Sequence, residues 1–263
     1  MLSLQSMFSL EGKTALVTGG SRGCGAMMAE GLVAAGARVF ISARSAEACA
    51  ATAESFGDYP GECTALPGDL ASLEKMDALV ADLAKYTDKL DILINNAGTT
   101  WGEPFAKFQE KGWDSVLNLN AKAPFFLIQK LLPMLKSAGT ADDPARVINI
   151  SSVQGSRPDA MLGYSYSASK GLLNLVTKNL AHDLIKDHIN VNAIAPGIFP
   201  SRMTDPLLSN NELRDQFLNV IPMGRLGELQ DLAAVCVYMC AKGSAYMAGE
   251  IVHVDGGMML SCS

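Results

Sequence analysis

The stretch 13-KTALVTGGSRGCGAMMAEGL-32 changes its patterning within one turn of chain. Residues 13–18 form a continuous apolar run rich in β-branched side chains, the composition of a strand buried on both faces. Residues 26–36, AMMAEGLVAAG, carry helical periodicity. Between them stand Gly19, Gly23 and Gly25. A strand that enters a glycine-rich turn and opens directly into a helix lets the backbone approach a pyrophosphate and offers it unpaired helix N–H groups. The spacing here is G-x-x-x-G-x-G rather than G-x-G-x-x-G. A glycine cluster alone could be a tight turn; its place after the first strand favours a dinucleotide.

Working outward, six more runs of strand composition follow: 38–42, 63–67, 90–95, 146–151, 189–195 and 250–254. Helical patterns such as LEKMDALVADLAKY separate them. Alternating strands and helices give βαβ units, so the expectation is an α/β Rossmann fold: one doubly wound parallel sheet of about seven strands with helices on both faces. The chain shows no repeat and no composition break, which points to one domain over residues 1–263. Residues 1–7 are expected to be a loose extension. The irregular region 197–226, punctuated by Gly197, Pro200, Pro206 and Pro222, is expected to form a substrate lid.

Of the 263 residues 49% are hydrophobic, enough for a large core, and the net charge is −6. With no basic excess to meet phosphates, neither nucleic acid nor an anionic membrane is an expected partner. Apolar runs stop short of the ~20 residues that span a bilayer, and the N-terminus lacks the pattern of a signal peptide. The six cysteines, at 24, 49, 63, 236, 240 and 262, form no C-x-x-C pair, and a reduced cytoplasmic setting is expected. The three histidines have no metal-ligand spacing, so no metal is expected.

The second strand runs into Ala43 and Arg44, where NAD enzymes place an acid for the ribose 2′-hydroxyl. Arg22 lies inside the glycine loop. A missing acid and two guanidinium groups suit a 2′-phosphate, and the expected cofactor is NADP(H).

In the stretch 163-GYSYSASKG-171, Tyr166 and Lys170 are four apart and share a helix face, whereas Tyr164 does not. An ammonium beside a phenol favours the phenolate, which makes Tyr-x-x-x-Lys usable for proton transfer near neutral pH.

Taken together these motifs resemble the short-chain dehydrogenase/reductase family, from about residue 8 to 257. TGGSRGCG resembles the family's TGxxxGxG loop, GDL (68–70) its adenine turn, NNAG (95–98) the segment that stabilises the sheet, and LNLNAK, INISSV and YSASK its catalytic segments. APGIFPSRMT resembles the segment that holds the nicotinamide carboxamide, with Ser201 where a Thr is usual. The resemblance implies a catalytic tetrad of Asn120, Ser152, Tyr166 and Lys170. Asn120 would hold a water that links Lys170 to solvent, Ser152 would bind the substrate oxygen, and Tyr166 would be the proton donor. Ser152 is preferred to its neighbour Ser151 because it fits the strand-end pattern S-V-x-G. It also implies cofactor contacts from Gly19, Ser21, Arg22, Gly23, Cys24 and Gly25 in the loop, and from Arg44, Asp69 and Leu70. Asn96, Ala97, Gly98, Tyr166, Lys170, Pro196, Gly197, Ile198 and Ser201 complete that set. Cys24, where an aliphatic residue is usual, is expected to be a small buried hydrophobe, with an exposed low-pKa thiol as the alternative.

Such an enzyme would take a small-molecule carbonyl or alcohol substrate. Trp101, Met161, Phe199, Met203 and Phe217 form a candidate apolar pocket set, better suited to an acyl chain or ring than to a free sugar. The C-terminal half resembles 3-oxoacyl thioester reductases, most of all the rhamnolipid-pathway type. The alternatives are a dehydrogenase of a hydroxysteroid, polyol or xenobiotic alcohol, and a non-catalytic NADP(H)-binding regulator. The resemblance further implies a homotetramer or homodimer assembled through helices near 110–136 and 164–185.

Overall fold

The structure is a computed structural model that describes residues 3–158, 163–201, 204–205, 214–215 and 218–260. All seven expected strands are present: β1 (Thr14–Thr18), β2 (Arg38–Ser42), β3 (Glu62–Ala65), β4 (Ile92–Asn95), β5 (Ala145–Ile150), β6 (Ile189–Pro196) and β7 (Ile251–Val254). They form one sheet in the order β3-β2-β1-β4-β5-β6-β7, and every neighbouring pair is parallel. β4, β5 and β6 are buried along their whole length, while the edge strands β3 and β7 are not. Continuous apolar runs mark the interior of a sheet covered on both faces.

The helices are α1 (Leu4–Phe8), α2 (Gly23–Ala34), α3 (Ala46–Glu54), α4 (Leu73–Leu83), α5 (Glu110–Leu117), α6 (Ala123–Ala138), α7 (Tyr164–Leu184) and α8 (Leu229–Cys240). Successive strand residues serve opposite faces. Ala15 and Val17 of β1 pack with Met28 and Leu32 of α2 and with Leu232 and Cys236 of α8. Leu16, Phe40, Leu93, Val147 and Val191 pack on the other face with α4 and α6. α4 shows why such segments are helices. Ser72 caps its start by accepting from Lys75 N at 3.3 Å, and Met76, Leu79 and Leu83 fall on one buried face. Each fully buried Leu contributes roughly 2 kcal/mol of apolar transfer.

One expectation is modified. Residues 4–7 of the stretch expected to be loose form, with Phe8, the helical turn α1, with Ser3 as its N-cap and the Phe8 ring 6.1 Å from that of Tyr238. Much of the expected lid, residues 202–203, 206–213 and 216–217, lies outside the described residues, as do Met161, Met203 and Phe217 of the candidate pocket set.

Candidate active site

The glycine loop leaves β1 at the carboxyl end of the sheet. Gly19 and Gly23 have φ of 65° and 53°, a left-handed backbone that side chains rarely adopt. Gly19 N and Gly20 N donate to Ser42 O at 2.7 and 3.3 Å, which ties the loop to β2. Asn96 Nδ2 donates to Thr18 O at 2.9 Å and to Gly19 O at 3.2 Å. A Cβ on Gly25 would stand 2.2 Å from Gly19 O, so the helix approaches its own loop as only glycine allows. Ser21 O accepts from Thr52 Oγ1 at 2.9 Å. α3 and α4 are capped by Ser45 and Ser72, but α2 begins at Arg22 with no side-chain cap. Its first-turn N–H groups are thus left without a side-chain acceptor next to the glycine loop, which suits a pyrophosphate.

Arg22 and Arg44 are both exposed at this end of the sheet, and no acid follows β2. Asp69 accepts from Ala71 N at 3.0 Å and pairs with Lys75 at 2.7 Å. The Lys75 hydrogen bond, aided by the charge of Arg44, holds its carboxyl below the usual range. Leu70 is buried beside it. Sequence reasoning missed Thr18. Its buried hydroxyl donates to Ile94 O and accepts from Asn96 N and Ala97 N at 3.0 and 3.1 Å, which fixes the NNAG turn. Gly98 follows so close to Asn120 that an added Cβ would lie 3.2 Å from Asn120 Oδ1. The residues present fit a dinucleotide.

The expected catalytic residues come from β5, the α5–α6 junction and α7. Lys170 is 4% exposed. Its Nζ donates to Ile150 O at 2.6 Å and sits 5.6 Å from the centroid of the Tyr166 ring. Burial brings its pKa down to about 8. Ser152 is buried at the start of the turn Val153–Gly155, where its Oγ accepts from Gln154 N at 3.2 Å. Ser151 Oγ instead donates to Lys170 O at 3.4 Å, so it serves the α7 backbone, which favours Ser152. Tyr164 is 41% exposed and stacks edge-on against Phe105 and Phe108 at 5.9 and 5.7 Å, not on the Lys170 side.

Asn120 is buried in a π-turn, Asn118–Lys122, between α5 and α6. Its side chain is engaged by protein. Oδ1 accepts from Thr99 N at 2.8 Å, while Nδ2 donates to Thr99 O at 2.9 Å and to Ser169 Oγ at 3.1 Å. Ser169 Oγ in turn donates to Tyr166 O at 2.7 Å. Ser169, fully buried, therefore ties Asn120 to the catalytic helix; its only sequence signal was its place inside YSASK.

On the other side of the cradle β6 delivers Pro196, Gly197 and Ile198. Gly197 N donates to Val254 O at 2.9 Å, and a Cβ there would lie 3.1 Å from Met258 Sδ. Ser201 faces the loop, its Cβ 3.2 Å from a Cβ built on Gly23. Thr204, three residues on, props this segment by accepting from Ser201 N at 2.9 Å and donating to Phe199 O at 2.8 Å. A cleft of about 310 Å³ is lined by Ile198, Phe199, Ile221, Leu226 and Gly256 among others, and by none of Asn120, Ser152, Tyr166 and Lys170.

Of the expected pocket residues, Phe199 lines this cleft and is buried against Gly227, where an added Cβ would stand 2.3 Å from its ring. Trp101 covers Gly112 of α5 in the same way and donates to Glu103 at 3.2 Å. Cys24 is half-buried, and burial pushes its thiol up to about 11, against a smaller opposing effect of the Lys170 charge. It is no low-pKa thiol.

The family model described as enoyl-(acyl carrier protein) reductase matches residues 19–259. The chain is 46% identical over 253 residues to the rhamnolipids biosynthesis 3-oxoacyl-[acyl-carrier-protein] reductase of Pseudomonas aeruginosa, covering 96% of this chain and 98% of that one. It is 32% identical over 262 residues to the gluconate 5-dehydrogenase of Gluconobacter oxydans, covering 99% of this chain and all of that one. The solved Pseudomonas aeruginosa RhlG/NADP active-site complex superposes with a TM-score of 0.94 at 46% identity, over 96% of this chain and 98% of that one. Motifs, sheet order and likeness along nearly the whole length agree: the chain belongs to the short-chain dehydrogenase/reductase family and is an oxidoreductase of that family.

Proposed function

We propose that this protein reduces the keto group of a 3-oxoacyl thioester to a secondary alcohol with NADPH. The observation that carries the reading is the 46% identity, along nearly the whole chain, to a 3-oxoacyl-[acyl-carrier-protein] reductase, in a chain that also holds the full tetrad. The bound NADP of the similar complex supports the same cofactor here, as do Arg22 and Arg44 and the missing acid after β2. Bound in the cradle, NADPH supplies the hydride.

The chain's own residues supply position and protons. Ser152 donates a hydrogen bond to the substrate oxygen and holds the carbonyl. Tyr166 protonates that oxygen as negative charge develops on it. Lys170 places positive charge beside the phenol and offers its remaining N–H groups to the ribose. The proton lost by Tyr166 returns through Lys170 and a water. With the Asn120 side chain engaged, the group that holds this water is the Asn120 backbone carbonyl. Its α-helical donor would be the N–H of residue 124, and Pro124 has none.

A second reading, oxidation of a polyol or sugar acid, has one observation in its favour, the 32% identity to a gluconate 5-dehydrogenase. A non-catalytic regulator would not need the intact tetrad. Initial rates of NADPH and NADH oxidation with acetoacetyl-CoA, a longer 3-oxoacyl thioester, 5-ketogluconate and a ketosteroid test the reading. Fast NADPH-dependent turnover of the thioesters is expected. Turnover of the keto acid or the steroid alone would replace it.

A homotetramer or homodimer in the cytoplasm belongs to the same proposal. Phe125 of α6 and Leu172 and Leu175 of α7 are 38%, 47% and 59% exposed, an apolar surface that a second copy would cover. No helix among the described residues is long and apolar enough to cross a membrane. A monomer mass by light scattering would remove the oligomer.

A further inference from the structure

We propose that Arg157 is an anion-binding residue of the substrate site. Its ligand is a charged group carried by the substrate, the phosphate of a phosphopantetheine arm or the carboxylate of a keto acid. The inference rests on the oxidoreductase reading and adds a substrate contact to it.

The position follows from two short links. Arg157 stands five residues after Ser152, just past the turn Val153–Gly155. Its NH1 donates to Met258 O at 2.6 Å. Met258 packs with Val153 and Ile221, and its Sδ lies against Gly197 on the nicotinamide side. Arg157 is therefore one residue removed from both the catalytic serine turn and the segment expected to hold the nicotinamide. Ile198, Leu226 and Met259 pack around the same apolar cluster. A charged group at the rim of such a surface fits a substrate with an apolar body and an anionic end.

The electrostatics point the same way. Arg38, Arg146 and Arg225 each have a carboxylate partner, Glu62 at 3.9 Å, Asp143 at 3.1 Å and Asp231 at 2.6 Å. Among the described residues no carboxylate pairs with Arg157, as none pairs with the exposed Arg214 or with Arg22 and Arg44, the two guanidinium groups expected to meet the cofactor phosphate. Asp255, three residues before Met258, is turned into its own loop, where it accepts from Gly257 N at 2.9 Å and Met259 N at 2.8 Å. One half-buried guanidinium held at one end by a carbonyl keeps its other N–H groups for a bidentate anion.

The test uses the NADP⁺-loaded enzyme and calorimetric titration with two charged and neutral pairs: 4′-phosphopantetheine against pantetheine, and D-gluconate against D-sorbitol. Arg157→Gln keeps a donor for Met258 O and loses the charge, so it separates anion binding from a loop tie; Arg157→Lys restores the charge. In at least one pair the charged ligand should bind tighter than its neutral partner, lose at least tenfold in Arg157→Gln and regain part of that in Arg157→Lys. The neutral ligands should not respond. The phosphopantetheine pair responding assigns a thioester arm. The gluconate pair responding alone keeps Arg157 in this role and removes the thioester reading. Charged ligands that bind no tighter than neutral ones, or bind Arg157→Gln as well as wild type, overturn the inference. Wild-type turnover of thioesters would then still decide the proposed function by itself.

Discussion

Gly25→Ala perturbs the point on which the cofactor cradle closes. The added Cβ would lie 2.2 Å from Gly19 O and 2.4 Å from Asn96 Nδ2, where ordinary contact begins at 3.4 Å. Carbonyl and amide must retreat by 1.2 and 1.0 Å; Gly19 O is backbone, and the Asn96 side-chain amide is held by its bonds to Thr18 O and Gly19 O. That movement breaks the Asn96 Nδ2 bond to Gly19 O at 3.2 Å and strains the one to Thr18 O at 2.9 Å. Two hydrogen bonds at ~0.5–1.5 kcal/mol each and overpacking of ~1–3 kcal/mol give a loss of about 2–6 kcal/mol. Against a typical stability of ~5–15 kcal/mol, the variant folds with a lowered margin and a displaced α2 N-terminus. Urea denaturation followed by tryptophan fluorescence measures the first effect. Titration with NADPH measures the second, where at least tenfold weaker binding is expected, since ~1.4 kcal/mol is a factor of ten. A variant with the wild-type urea midpoint and wild-type NADPH affinity would refute the close approach of loop and helix.

Three further outcomes follow from the same geometry. Arg44→Asp should move the NADPH/NADH ratio of kcat/KM toward NADH by at least tenfold, and an unchanged ratio would take Arg44 out of cofactor recognition. Cys24, its thiol raised to about 11, should be alkylated by iodoacetamide at pH 8 at least tenfold more slowly in the native than in the denatured chain; peptide mapping that shows equal rates would contradict its burial. Lys170 has a native pKa of about 8 and an unfolded one near ~10.4, so between these values the unfolded chain binds more protons and stability rises with pH. Relative to Lys170→Met, wild type should gain up to about 3 kcal/mol in urea stability between pH 7.5 and 10.5, and a pH-independent difference would contradict the shift.

What the sequence made legible was local. Strand runs such as 146–151 carry their burial in their own composition, and the glycine loop carries its φ requirement in residue type. The approach of Lys170 to the Tyr166 ring was legible because the two residues are four apart on one helix. What stayed hidden depends on pairings across the chain. The partners of the Asn120 side chain are Thr99 and Ser169, residues that meet it only in the fold. Trp101 read as a pocket aromatic because an apolar residue in a loop has no periodicity to show which way it faces; it covers Gly112 on α5. The link from Arg157 to Met258 spans 101 residues and has no local signature.

The most direct test of the account is Tyr166→Phe. The substitution removes one hydroxyl and keeps the ring that faces Lys170. NADPH affinity by fluorescence titration should stay within about twofold of wild type, while NADPH-dependent reduction of a 3-oxoacyl thioester should fall at least ~10³-fold, the upper part of the range for loss of a general acid. Turnover near the wild-type rate, with NADPH bound as tightly, would contradict Tyr166 as the proton donor.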